Sequence, residues 1–216
     1  MLAGRATAVQ AAAAADWLLV RAASDRGPRL VLVEQARTVV EPRRTLDETR
    51  RWYDVVLDAV GVRAADVLAA DEAEIQWLTD AAAVLSAADS LGVGERLLDM
   101  TAGYVKVREQ FGRPLGSFQS VKHKVADMLT TLKGARAATY YAAMALDAGV
   151  AGATAAASVA KAFTTEGVAA LAGEACRPTA ASASPGSTTC TYTCGGQRST
   201  RCSTARPRST TSGSSR

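Results

Sequence analysis

From Asp71 to about Ala175, apolar residues recur three or four positions apart, and the pattern breaks only around Pro114–Gly116 and around Gly149. Ile75, Leu78, Ala82 and Leu85, then Leu97, Met100, Tyr104, Val107 and Phe111, mark one face of a first helix. Phe118, Val121, Val125, Met128, Leu132 and Ala135 mark a second, with Ser117 as its expected N-cap and a glycine end near Gly149. A third runs from Thr154 to about Ala175 on Val159, Phe163, Val168 and Leu171. Three long helices joined by short loops predict an antiparallel bundle that a fourth helix would complete. Gly92 and Gly94 interrupt the first helix at roughly 1 kcal/mol each relative to alanine. Close packing of a neighbouring helix accounts for both. A nucleotide loop does not, since no strand precedes them and no third glycine follows at the right spacing.

Composition fits this picture. The chain has 216 residues, 48% of them hydrophobic and 5% aromatic, which suits close helix–helix contact better than a large β-sandwich. No apolar run reaches the ~20 residues of a membrane span, and the start lacks the apolar segment of a signal peptide, so a cytoplasmic protein without a membrane span is expected. The net charge of +4 resides in the tail: residues 177–216 hold six arginines and no lysine or acid, which leaves 1–176 at −2. Nucleic-acid binding is therefore not expected, because the tail has no aromatic residue besides Tyr192 to interleave with its charge. Cys176, Cys190, Cys194 and Cys202 form no CxxC pair and have no accompanying histidine, so neither a metal site nor a disulfide framework is expected.

Residues 1–71 read as β-rich, with short apolar runs at Trp17–Ala22, Leu30–Glu34, Val39–Val40 and Trp52–Asp58 and a turn at Ser24–Pro28. Three or four strands in that length look like part of a larger sheet. The fold class expected is an α+β fragment, mainly α, in three parts: 1–71, 72–176 and a tail at 177–216. The last forty residues contain eighteen Ser or Thr and no Leu, Ile, Val, Met, Phe or Trp, too little apolar surface to offset chain entropy, so disorder is expected there.

Chemistry concentrates between the first two helices, in Arg108–Gln119. Arg108 offers a planar fork for phosphates, Gln110 and Gln119 supply neutral donors and acceptors, and Phe111 and Phe118 present rings that pack on a flat ligand. Both rings also extend the apolar stripes, so a grip on a ligand and a plain helix-to-helix corner both stand at this point. His123, the only histidine, reads as a packing or interface residue with Asp127 one turn later as its partner.

The run Tyr104-Val105-Lys106-Val107-Arg108-Glu109-Gln110-Phe111-Gly112-Arg113-Pro114, followed by Phe118-Gln119-Ser120-Val121-Lys122-His123-Lys124-Val125-Ala126-Asp127-Met128, resembles the C-terminal domain of acyl-CoA dehydrogenases. Residues 1–71, including Thr45–Arg50, resemble the later part of that family's middle β-domain. The resemblance implies an FAD-dependent oxidoreductase that removes two hydrogens across the α,β carbons of an acyl-CoA. A glutamate takes the α proton and FAD takes a hydride, with an electron-transfer flavoprotein as the expected acceptor. It also implies homo- or hetero-oligomers built through the bundle. Arg108, Gln110, Phe111, Leu115, Phe118 and Gln119 are then the cofactor-binding residues, reaching to the FAD of a neighbouring subunit. The alternative is a non-catalytic helical association module that lends this stretch to an intact subunit.

Departures from the family accompany the likeness. Roughly its N-terminal half has no counterpart here, so the chain reads as truncated. No catalytic glutamate is assigned, because the position used by some members falls near Ala82, Asp80 lies two positions away, and Glu174 reads as a surface charge. After Ala172–Ala175 the family continues with a histidine, two glycines and an aromatic segment, whereas the chain continues Arg177-Pro178-Thr179-Ala180 into its Ser/Thr-rich tail. A frameshift after about residue 176 is the implied cause.

Overall fold

The aspartate at which the sequence period changes is also where the backbone changes character. Asp71 accepts a hydrogen bond from the Glu74 amide at 2.8 Å, and Glu74 accepts one from the Asp71 amide at 2.9 Å. This reciprocal capping box starts helix α1, Glu72–Val107. In this computed structural model the described residues are 1–180, apart from 26, 46 and 48, with backbone alone described over 176–180. The readings of a disordered, frameshifted tail and of the cysteines fall outside the described residues, except that α3 continues through Ala180.

Before α1 lie six strands: β1 Leu2–Gln10, β2 Trp17–Ala22, β3 Arg29–Glu34, β4 Val39–Arg43, β5 Trp52–Val60 and β6 Val67–Leu68. They make two antiparallel three-stranded sheets, ordered β1-β5-β4 and β2-β3-β6. Two of them, the nine-residue β1 and the two-residue β6, lie outside the runs expected from sequence. β1 is rich in Ala, Gly and Arg and has little strand propensity of its own. It exists because it pairs with β5, Leu2 opposite Val60 and Gln10 opposite Trp52. Val31, Val33, Leu57 and Val60 form the buried cluster of this region.

Helices α2, Gln119–Asp147, and α3, Ala153–Ala180, complete a three-helix arrangement. α2 ends where glycine was expected: Gly149 takes φ +60°, and the Val150 amide reaches back to the Ala145 carbonyl at 3.2 Å. One core cluster joins Leu91 and Leu97 of α1, Met128 and Leu132 of α2, and Val168 and Leu171 of α3. Each such side chain contributes about 1.5–3 kcal/mol on burial. The other joins Val84 and Ala87 to Ala142, Ala157 and Ala160, where small side chains let the helices approach closely.

The first-helix stripe read from hydropathy is offset from the true one. Leu85 and Val107 are 70% and 78% exposed, and Leu78 and Ala82 are also exposed. The buried stripe runs Ile75, Asp80, Val84, Ala87, Leu91, Gly94, Leu97, Thr101, Val105. It passes through small and polar residues that a hydropathy pattern overlooks. Val159 and Phe163 of α3 are likewise exposed. No helix among the described residues is long and apolar enough to cross a membrane.

Candidate functional site

α1 ends at Val107, and the corner to α2 is a β-hairpin rather than a helix continuation. Glu109–Gln110 (β7) pairs with Arg113–Pro114 (β8), placing Glu109 opposite Pro114 and Gln110 opposite Arg113. The two linking residues, Phe111 and Gly112, have φ of +53° and +74°. Two positive values in a two-residue loop match a type I′ turn, whose twist suits a hairpin. Glycine adopts this conformation freely, but phenylalanine does so at a steric cost. The Leu115 amide donates to the Arg108 carbonyl at 2.7 Å and closes the base of the hairpin.

Phe111 therefore does not extend the α1 stripe; it is 91% exposed at the tip of the turn. Its ring meets Phe118 edge-on, with centroids 6.2 Å apart, and the Arg113 guanidinium lies over the other ring, 4.0 Å from the Phe118 centroid. Leu115 and Phe118 are half-buried, while Arg108, Gln110 and Gln119 are exposed. A short 3-10 turn, Leu115–Ser117, leads into α2, and Phe118, not Ser117, occupies the N-cap position with no side-chain cap. Ser117 belongs to the 3-10 turn, which moves the helix start one residue along. Six sequence-selected residues thus share one corner, and Arg113 joins them through its stack on Phe118. The signal for Arg113 was its cross-strand place beside Gln110, visible only once the hairpin register is known.

Other groups lie elsewhere. Asp80 is buried and accepts from Gln76 Nε2 at 2.9 Å and from Thr154 Oγ1 at 2.6 Å, tying α1 to the start of α3. Glu174 pairs with Lys124 at 2.6 Å. His123 and Asp127 are both exposed on α2. Two grooves sit apart from the hairpin. One, of about 460 Å³, is lined by Trp17, Arg37, Arg63 and Asp66, and one of about 650 Å³ runs between Glu95 and Asp99 of α1 and Lys133 and Arg136 of α2. Apart from Leu115, Gly116 and Phe118, the residues of the corner from Arg108 to Gln119 are exposed.

Residues 73–178 match the family model described as "Acyl-CoA dehydrogenase, C-terminal domain". The acyl-CoA dehydrogenase IpdE2 of Mycolicibacterium smegmatis is 41% identical over 100 residues, 46% of this chain and 29% of that protein. FadE34 of Mycobacterium tuberculosis, also an acyl-CoA dehydrogenase, is 38% identical over 130 residues, 60% of this chain and 16% of that one. The matches thus span less than a third of these relatives. Butyryl-CoA dehydrogenase from Megasphaera elsdenii superposes with a TM-score of 0.81 at 24% identity, over 92% of this chain and 55% of that one. A Tcur3481–Tcur3483 steroid ACAD variant gives a TM-score of 0.79 at 31% identity, over 90% and 53%.

Proposed function

The chain belongs to the acyl-CoA dehydrogenase family, a family of FAD-dependent oxidoreductases, and from that premise we propose that it serves α,β-dehydrogenation of an acyl-CoA thioester by lending its Arg108–Gln119 corner to an FAD site completed by another subunit. The observation that carries this reading is Phe111, a large apolar ring held 91% exposed at φ +53°. Strain and exposure together are unfavourable for an isolated chain and are sensible where the ring meets a partner. The residues present fit one side of a dinucleotide: the Arg108 guanidinium for its diphosphate, the Gln110 and Gln119 amides for neutral polar edges, and Phe111, Leu115 and Phe118 for its rings. Bound FAD would supply the hydride acceptor. The chain's own part is to bind, orient and shield that group.

Among the described residues no carboxylate is assigned to proton abstraction, since Asp80 is taken up in joining α1 to α3 and Glu174 by Lys124. Flavin absorbance in the purified protein, together with acyl-CoA-dependent reduction of dichlorophenolindophenol across chain lengths and a steroid side-chain thioester, tests the reading. In the cell an electron-transfer flavoprotein would take the place of the dye, and a cytoplasmic setting fits this lipid acyl-CoA chemistry.

A second reading, the non-catalytic association module, is favoured by the apolar side chains outside the bundle. Leu85, Tyr140, Tyr141 and Met144 are all exposed. Such a module would bind an intact family member and change its flavin site while showing no dye reduction alone. Acyl-CoA-dependent dye reduction by the chain without that member supports the first reading, and its absence together with co-sedimentation supports the second.

A further inference from the structure

The hairpin register brings a second guanidinium to the face that carries Arg108 and Gln110. Gln110 and Arg113 are directly opposite in the β7–β8 pair, so their side chains stand on one face of the ribbon. Arg108 precedes Gln110 by two residues in extended backbone (φ −78°, ψ 124°) and by alternation shares that face. Glu109, the hairpin's carboxylate, pairs with Pro114 and alternates to the other face. The face therefore holds two guanidinium groups and one amide, with the acid turned away.

Arg113 is not loosely placed. Its guanidinium lies 4.0 Å from the centroid of Phe118, a half-buried ring at the start of α2. Stacking uses the flat face of a guanidinium and leaves its N–H donors, which lie in the plane, free to point outward. A pre-stacked arginine loses less side-chain freedom when those donors are engaged than a lysine would. This is the geometry of a fork held ready for phosphate oxygens.

We propose that Arg113, stacked on Phe118 and paired across the hairpin with Gln110 on the face that carries Arg108, is a second phosphate-binding residue of the corner and takes the diphosphate of a dinucleotide. This rests on the FAD reading above. The same chemistry would also accept the diphosphate of coenzyme A, and the experiment separates the two sources.

Isothermal titration of the full chain with FAD, coenzyme A and inorganic pyrophosphate tests it, using Arg113→Ala and Arg113→Lys. Thermal melts check that each variant is folded. The expected result is FAD binding by the unsubstituted protein, weakened about tenfold in Arg113→Ala with a shallower salt dependence, and weakened less in Arg113→Lys, which keeps charge but loses the flat stack. Unchanged FAD affinity in Arg113→Ala overturns the proposal and leaves the Arg108–Gln119 reading standing. Binding of coenzyme A but not FAD, lost in Arg113→Ala, supports the phosphate contact and sinks the FAD reading. Binding of none of the three probes overturns both. Should Arg113→Ala fail to fold, Arg113→Lys decides, and an unchanged affinity there counts against the stacked fork.

Discussion

At the scale of single residues, Phe111 shows stability set against use. A non-glycine residue in the left-handed region costs of order 1–3 kcal/mol, and the first position of a type I′ turn prefers asparagine. Phe111→Asn should therefore raise stability by about 0.5–1 kcal/mol while weakening flavin binding. Thermal unfolding and flavin fluorescence titration check the two halves separately. A fall in stability would mean that the Phe111–Phe118 contact outweighs the backbone strain. Asp54 behaves differently. Hydrogen bonding from Arg5 at 2.9 Å, with further help from the Ala8 amide at 3.1 Å and the charge of Arg43, holds its carboxyl below its ordinary value of 3.8. A lowered pKa in the folded state contributes stability above the unfolded value that is lost as pH falls through the folded one. The β1–β5–β4 sheet should thus weaken as the pH falls below about 4. Asp54→Asn should lower the melting temperature at pH 7 and flatten the acid limb, a result that melts recorded from pH 3 to 7 can confirm or refute.

At the scale of elements, two glycines that look alike in sequence play opposite parts. A Cβ on Gly94 would stand 2.6 Å from Leu132 Cδ2 and 2.8 Å from Val168 Cγ2, whereas one on Gly92 would meet nothing within 4 Å. Alanine gains up to about 1 kcal/mol of helix propensity at either site, but overpacking costs about 1–3 kcal/mol. Gly94→Ala should destabilise by about 1–2 kcal/mol and Gly92→Ala should stabilise by about 0.5–1 kcal/mol, which urea melts can resolve. Close packing was thus legible as a property of the Gly92–Gly94 stretch but not of one glycine, because the contact partner lies on another helix. The same limit explains the rest of the bundle. The change of period at Asp71 and the glycine end at Gly149 were legible because caps act within a few residues. By contrast, α1 stops at Val107 instead of running on to Phe111, and α2 is capped at Phe118 instead of Ser117. The α1 face was misplaced because Ala87, Ser90 and Thr101 fill the buried stripe and carry little hydropathy signal. β1 escaped notice because its pairing partner, β5, lies some fifty residues away. At the corner, Arg108, Gln110 and Phe118 were selected by residue type and lie together in the structure, whereas Arg113 was not selected, because its place opposite Gln110 depends on register.

At the scale of the molecule, strands and helices keep separate interiors. Among the described residues, one buried cluster is built of strand residues and the other two of helix residues alone. A side-chain tie between the halves joins Arg50, just before β5, to Asp89 of α1, with two hydrogen bonds of 3.0 and 2.8 Å. The Arg50 side chain is 24% and the Asp89 side chain 41% exposed, and a pair partly open to solvent in this way contributes about 1 kcal/mol. Separate interiors joined by ties of that size are expected to unfold at different denaturant concentrations. The strand region, with two sheets of three strands each, is the smaller and should open first. Probes for the two halves are already in the chain. Trp52 is buried in β5, whereas Trp17 of β2 and Trp77 of α1 are both about half-exposed and should change little in fluorescence on unfolding. Tryptophan emission therefore follows the strands and ellipticity at 222 nm follows the helices. In urea the emission midpoint should precede the ellipticity midpoint by about 0.5 M or more. Asp89→Ala should lower the emission midpoint further, through a loss of about 1 kcal/mol of strand stability at most, and leave the ellipticity midpoint in place. Superimposable curves before and after the substitution would show instead that strands and helices unfold as a single cooperative unit, with Arg50 and Asp89 carrying none of that coupling.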